Sequence, residues 1–173
     1  MKLRIIRVVL ILVALTCAFA TTSAQTTSSE LYGKWKIRRI LPARTISCWG
    51  DKEAKTIIGT EIEFSQKYFR WKDIIVKNPK VTAQTVTAEQ YHDENSGGSS
   101  NSSQVTFQQL GIAAKQTMLI TIEHSPAEVT GATAEIPGDQ VLIKDKDTIV
   151  FSVCSVYFEA KRIPMASPSK DKK

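Results

Sequence analysis

The segment Gln140–Ile163, QVLIKDKDTIVFSVCSVYFEAKRI, constrains the fold most, because it holds the densest run of β-branched and aromatic residues in the chain. No Pro or Gly interrupts it. Read as one strand after the Asp145–Asp147 turn, it would run for about 15 residues, whereas strands usually have about 5–6. We therefore expect a break inside this segment.

The apolar alternation changes phase at Cys154–Ser155, which locates that break. Side chains alternate between the two faces of a strand, so a change of phase requires either a bulge or a reversal. The apolar positions before and after the break are Ile149, Phe151 and Val153, then Val156, Phe158 and Ala160. We favour a reversal, which predicts three short antiparallel strands in a meander.

Short strand patterns separated by turn residues cover most of the remaining chain. The predicted strands are Leu31–Leu41 ending at Pro42, Glu61–Phe64, Tyr68–Trp71, Asp73–Val76, Val81–Ala88, Thr117–His124 and Val129–Glu135. One short helix is predicted over Asp51–Ile58, because Asp can cap its start and Gly59 follows its end. Thr106–Ile112 fits a helical turn or an irregular crossover. The pattern indicates an antiparallel β-sandwich or β-barrel and excludes a parallel α/β fold.

Gln90–Gln104, QYHDENSGGSSNSSQ, is the least apolar stretch between these strands. Its Ser, Gly and Asn content is typical of flexible segments. We therefore predict a mobile loop or lid here.

The first 24 residues have the order of a secretory signal, which is basic, then apolar, then small. Lys2, Arg4 and Arg7 supply the charge, and the apolar run that follows is shorter than the roughly 20 residues that span a bilayer. Cleavage after Ala20 or after Ala24 fits, and we favour Ala24. The chain is therefore predicted to be exported, periplasmic or extracellular, without stable membrane insertion once cleaved.

Loss of residues 1–24 removes three basic residues and no acid, so the net charge falls from +6 to +3. No basic stripe interleaved with aromatic residues is present, which excludes nucleic-acid binding. The predicted organisation is a signal peptide at 1–24, a flexible leader at 25–30, one domain at 31–163 and a disordered tail at 164–173.

Cys48 and Cys154 are the two cysteines that remain after cleavage. An even pair in an exported chain predicts a disulfide, with two free buried thiols as the alternative. A metal or redox pair is disfavoured, because the sequence has no C-x-x-C and no His beside either cysteine. Closing so long a loop stabilises by about 4–5 kcal/mol in the entropic account.

Gly33-Lys34-Trp35 opens the first predicted strand, and Arg162 closes the last one. A G-x-W start with a basic residue on the last strand resembles the bacterial lipocalin-like (calycin) proteins, although a T-D-Y-like turn and a C-terminal helix are missing from the sequence. The resemblance implies an up-and-down β-barrel of about eight strands with one short helix, in which the Trp closes one end and the Arg covers its indole. A cation over an indole contributes about 0.5–2 kcal/mol. The alternative is that Trp35 is an ordinary core aromatic residue of a sandwich.

The titratable residues do not form a recognisable catalytic or metal-binding pattern. His92 lies in His92-Asp93-Glu94, a group that could hold a metal but on a polar loop is more often solvated. His124 lies at a strand end, where a solvated or hydrogen-bonded histidine is expected. No nucleophile-elbow, Ser-His-Asp or Cys-His pattern is legible. The sequence therefore predicts no catalytic residue, no metal and no cofactor, and a protein that is not an enzyme.

Two hypotheses of function follow. The first is a carrier of a small apolar molecule, held in the barrel interior and covered by residues 90–104. The second is a protein-binding module, such as an inhibitor of an exported hydrolase, for which residues 25–30 are the candidate contact segment. An empty interior would favour the carrier, and a filled interior would favour the protein-binding module.

Overall fold

The computed structural model describes residues 28–44, 47–95, 105–125, 129–130 and 136–164. The predicted signal peptide, residues 25–27 of the leader and residues 165–173 of the tail lie outside the described residues. In the described part, no helix combines the length and the apolar character needed to cross a bilayer.

Strands dominate the described structure. A 3₁₀ turn, η1, covers Ser28–Leu31, and two helices follow, α1 at Asp51–Thr56 and α2 at Ala88–Asn95. The strands are β1 Gly33–Arg44, β2 Glu61–Phe64, β3 Tyr68–Trp71, β4 Ile74–Lys77, β5 Lys80–Thr87, β6 Gln116–Glu123, β7 Val129–Thr130, β8 Gln140–Asp145, β9 Thr148–Val153 and β10 Val156–Arg162.

All ten strands belong to one antiparallel sheet in the order β5-β6-β8-β9-β10-β1-β2-β3-β4-β7. The sheet curls into a half-barrel, which confirms the predicted all-β antiparallel fold. β1 and β10 pair in the middle of the sheet, with Trp35 opposite Arg162. Although only Asn78 and Pro79 separate β4 from β5, no strand ladder joins these two strands among the described residues. The two edge strands are therefore β5 and β7, whereas β1 and β10 are paired with each other.

The predicted meander β8-β9-β10 is confirmed. The reversal between β9 and β10 is a two-residue turn in which Cys154 and Ser155 have φ angles of 50° and 60°. Two successive left-handed residues form the tight turn whose twist matches that of the flanking strands. This turn explains why the apolar alternation changes phase at that point.

β1 differs from the prediction that it ends at Pro42, because it continues to Arg44. The ladder with β10 shifts register between Ile40 and Arg44, so Pro42 falls in an irregular stretch. A proline is tolerated where the ladder does not use its missing N–H.

Residues 90–95 of the predicted loop at 90–104 instead form most of α2, and residues 96–104 lie outside the described residues. The Thr87 N–H donates to Oε1 of Gln90 at 2.9 Å, and the Gln90 N–H donates to Oγ1 of Thr87 at 3.2 Å. This reciprocal capping box starts the helix. Tyr91 then anchors the helix by burial against Phe107, with ring centres 5.7 Å apart.

Two apolar cores lie on opposite faces of the sheet. The inner core fills the concave side with the alternating residues of β1–β4, β6 and β8–β10, together with Leu31, Ala54 and Ile57. The outer core lies under α2 and residues 105–112 and includes Leu119, Leu142, Val150 and Tyr157. β8 and β9 are consequently buried on both faces, which accounts for the dense apolar run in the sequence.

Candidate functional site

Arg162 and Trp35 meet at one end of the half-barrel. The guanidinium carbon lies 4.0 Å from the centre of the Trp35 ring, so the predicted stacking is present. Arg162 also donates from Nη1 to the Tyr32 carbonyl at 2.7 Å, from Nε to the Lys146 carbonyl at 2.9 Å and from Nη2 to the Glu30 carbonyl. One side chain therefore joins η1, the start of β1 and the β8–β9 turn.

Gly33 is required beside this cation for two reasons. Its φ of 132° lies in a region that side-chain-bearing residues rarely adopt. A Cβ at this position would also lie 2.9 Å from Nη1 of Arg162. The Gly in the G-x-W pattern therefore gives the guanidinium room to reach the backbone.

Trp35 is fully buried and anchors the start of the chain. Its Nε1–H donates to the Leu31 carbonyl at 2.8 Å, which holds η1 against the inner core. η1 also contacts β5, although β1 and β5 are five strands apart in the sheet order. This contact shows how strongly the sheet curls around its inner core.

The structure contains the disulfide between Cys48 and Cys154 that the sequence predicts. It joins residues 106 positions apart, with the two Cα atoms 5.2 Å from each other. Ser47 adds a second link, because its hydroxyl donates to the Cys154 carbonyl at 2.6 Å. Both contacts hold the loop after β1 against the β9–β10 turn.

The inner core decides what the concave side can hold. Trp35, Ile37, Ile62, Ile120 and other inner residues have 0% of their surface exposed. A cavity that admitted a ligand would leave part of its lining exposed. The concave side is therefore filled by side chains at these residues.

Two depressions of the described surface lie next to the start of β1. The larger, which we call the groove, has a volume of about 650 Å³ and a mostly apolar wall formed by Tyr32, Gly33, Lys34, Glu63, Arg162, Ile163 and Pro164. The smaller, the notch, has a volume of about 150 Å³ and is lined by Lys34, Glu61, Glu63, Arg70 and Lys72. Lys34 and Glu63 line both, so the two depressions are adjacent.

Glu159 lies at the centre of a charge cluster that the sequence analysis missed. Its carboxylate accepts from Arg39 Nε at 3.1 Å, from Arg39 Nη2 at 2.9 Å and from Lys144 Nζ at 2.8 Å. Burial by itself raises the pKa of this carboxyl. The hydrogen bonds from Arg39 and Lys144, together with the positive charges of these two residues, outweigh burial and lower the pKa to about 2. The cluster joins β1, β8 and β10.

A buried pair of tyrosines lies beneath α2, also unnoticed in the sequence. The hydroxyls of Tyr91 and Tyr157 are hydrogen-bonded to each other, and both residues are buried. Burial raises the pKa of both phenols, and for Tyr91 the nearby Tyr157 hydroxyl raises it further. Both hydroxyls are therefore neutral at physiological pH and act as structural bonds within the outer core.

Neither histidine belongs to a metal-binding group among the described residues. His92 is in α2, and Nε2 of His124 lies 3.4 Å from Oδ1 of Asp139. The described residues contain no group of three or more His, Cys, Asp or Glu side chains that could hold a metal ion.

Comparison with known proteins gives no match to a family model, to a curated protein or to a solved structure.

Proposed function

We propose that this chain is an exported, lipocalin-like module that binds a protein partner, such as an exported hydrolase, through its outer surface. The observation that supports this proposal is the filled inner core. Trp35, Ile62, Ile120 and Phe158 have no exposed surface. A barrel used as a carrier needs an unfilled interior, whereas a barrel used as a rigid platform does not.

The disulfide supports the exported part of the proposal. Disulfides persist in oxidising compartments and are rare in the cytosol. Cys48–Cys154 holds the loop after β1 to the β9–β10 turn. A structural bridge of this kind is what an envelope or secreted protein uses to remain folded.

A small apolar ligand is the second candidate, and the groove is the observation that favours it. A volume of about 650 Å³ with a mostly apolar wall is large enough for a drug-sized molecule. This site would lie outside the sheet and not in the barrel interior where the sequence analysis expected the ligand. The two candidates therefore predict different binding sites and different occupants.

One experiment separates them. The mature chain is titrated with an apolar fluorescent dye, and it is also purified under native conditions from the exported fraction of its source. We expect no saturable dye binding and a co-purifying exported protein in about equal molar amount. Saturable binding of one dye per chain, with a raised melting temperature and without a protein partner, would reject the proposal. Loss of that dye binding in Tyr32→Asp would then assign the ligand to the groove.

A further inference from the structure

The outer surface of the sheet is divided into two halves of different character. Over β6, β8 and β9, α2 and residues 105–112 cover the outer core. Over β2, β3 and the start of β1, no described helix or loop covers the sheet. Its outward side chains there are mostly charged, namely Lys34, Lys36, Glu61, Glu63 and Arg70, with Tyr68 beside them. We call this uncovered part of the sheet surface the basic face.

The cross-strand register of the basic face fixes which charges are neighbours. Lys34 lies opposite Glu63, and Glu63 lies opposite Arg70 on the next strand. Lys36 lies between Glu61 and Lys161 in the same way. With Lys72 at the edge of the notch, the basic face has four cations and two carboxylates, which are Lys34, Lys36, Arg70, Lys72, Glu61 and Glu63.

The helix that covers part of the opposite half is acidic. α2 contains Glu89, Asp93 and Glu94 and no Lys or Arg. The basic face therefore has an excess of cations, whereas the exposed helix on the other half has an excess of carboxylates. Such separation steers an acidic partner to one face and away from the other.

The groove adjoins the basic face and gives it an apolar centre. Tyr32, Ile163 and Pro164 form the apolar wall, and the charged residues Lys34 and Glu63 form its border with the notch. Elsewhere in the described surface, the single large apolar side chain with high exposure is Ile58, at 40%. An apolar depression with a charged rim has the composition of a protein interface.

We propose that the groove and the basic face form one docking surface for a partner protein whose contacting segment has an apolar side chain flanked by carboxylates. This inference rests on the proposed protein-binding function and specifies its site. The excess of cations selects the acidic flanks, and the groove accepts the apolar side chain. Glu61 and Glu63 lie among the cations, so the charge pattern opposes a uniformly anionic lipid surface and fits a patterned protein surface.

The first test uses a defined probe on the whole mature chain. The acidic peptide Glu-Glu-Leu-Phe-Glu-Glu is compared with its amide analogue Gln-Gln-Leu-Phe-Gln-Gln. The double variant Lys34→Glu, Lys72→Glu should weaken binding of the acidic peptide by at least about tenfold, because each reversal replaces attraction by repulsion. The matched control is Lys52→Glu, Lys55→Glu on α1, which makes the same change in net charge at exposed positions away from the notch.

The control variant should bind the acidic peptide within about twofold of the original chain. Equal weakening in both variants would mean non-specific attraction and would overturn the proposal. So would tighter binding to vesicles of phosphatidylcholine and phosphatidylglycerol than to the peptide. Self-association that the Lys34 and Lys72 reversals abolish would mean that the acidic α2 of a second copy occupies the face, which also overturns it.

The second test separates this inference from the proposed function. Photoreactive benzoylphenylalanine replaces either Tyr68, on the outer side of β3, or Glu89, on α2. Cross-linking of the co-purified partner from position 68 alone supports the docking surface. Cross-linking from position 89 alone, or from neither position while a partner still co-purifies, rejects the surface and leaves the proposed function standing. Absence of any co-purified partner rejects both.

Discussion

Arg162 lies opposite Trp35 in the β1–β10 ladder, and its guanidinium covers the Trp35 indole at 4.0 Å. The same side chain donates to the carbonyls of Glu30, Tyr32 and Lys146. A single residue near the end of the described chain therefore holds the η1 turn, the first strand and a distant hairpin turn together. The energy of the stacking can be separated from that of the carbonyl bonds.

A double-mutant cycle between Arg162 and Trp35 makes this separation. Arg162→Ala should lower the free energy of unfolding by about 2–4 kcal/mol, because it removes charged hydrogen bonds together with the stacking. In a Trp35→Leu background the loss should be smaller by about 0.5–2 kcal/mol, which is the stacking contribution. Urea unfolding of the four proteins gives the coupling energy. A coupling energy of zero would show that the stacking contributes nothing.

The Glu159 carboxylate should make stability depend on pH below neutrality. Its pKa is about 2 in the folded chain against an ordinary value of 4.5, so its contribution is complete above pH 4.5 and is lost as the pH falls toward 2. The shift corresponds to about 3 kcal/mol at neutral pH. Glu159→Gln should remove this part of the pH dependence and destabilise the chain at pH 7. Urea unfolding between pH 7 and pH 2 measures both.

The control for this prediction is Glu61→Gln, a substitution of an exposed carboxylate on the basic face. This variant should lose about the same free energy of unfolding between pH 4.5 and pH 2 as the original chain. If Glu159→Gln and the original chain lose the same free energy of unfolding between pH 4.5 and pH 2, the Glu159 cluster is not the source of the pH dependence.

Gly111 should tolerate a side chain less well than Gly59 does. Both have positive φ angles, so Ala at either site incurs a backbone strain of about 1–2 kcal/mol. A Cβ at Gly111 would also lie 2.9 Å from Nζ of Lys144, whereas at Gly59 it would meet no atom within 4 Å. Gly111→Ala should therefore cost more free energy of unfolding than Gly59→Ala, by displacing Lys144 from Glu159. Equal losses would mean that Lys144 moves without cost.

The Cys48–Cys154 disulfide should protect both thiols. Alkylation of the denatured, non-reduced chain should label neither cysteine, and two labels would contradict the bridge. Replacing both cysteines with Ala should lower the free energy of unfolding by about 2–5 kcal/mol, because the open chain gains conformational freedom when it unfolds. Denaturant unfolding of the oxidised, reduced and doubly substituted chains measures this loss.

Local alternation predicted the strands well, because a half-barrel with a filled concave side requires an apolar residue at every second position. Glu61–Phe64 and Tyr68–Trp71 have the predicted bounds, and the meander reverses where the alternation changes phase. The bounds of these strands therefore depend on residues that are neighbours in the sequence.

α2 was missed for a different reason. The polar composition of residues 90–104 concealed a local signal, the T-x-x-Q spacing of Thr87 and Gln90, which forms a capping box. The same spacing recurs at Thr106 and Gln109, where the two residues bond in the same reciprocal way. Both capping boxes could have been predicted from their spacing in the sequence. The burial of Tyr91 could not, because it depends on Phe107, which is distant in the chain.

The Glu159 cluster could not be predicted from the sequence. Arg39 is 120 residues from Glu159, and Lys144 is 15 residues away on another strand. Their meeting requires the β1–β10 pairing together with the order of β8, β9 and β10. The filled concave side likewise depends on side chains from nearly all strands at once, so composition alone could not distinguish it from an empty barrel.

The pairing of β1 with β10 has a consequence for the connectivity of the fold. The Ile163 N–H donates to the Lys34 carbonyl at 2.8 Å, so the two ends of the sheet's chain lie side by side. A short linker could join them. The chain could be opened instead at Asn78–Pro79, because no ladder joins the flanking strands β4 and β5 among the described residues. Such a circular permutant would keep every described strand pair while reversing the order in which the halves of the sheet leave the ribosome.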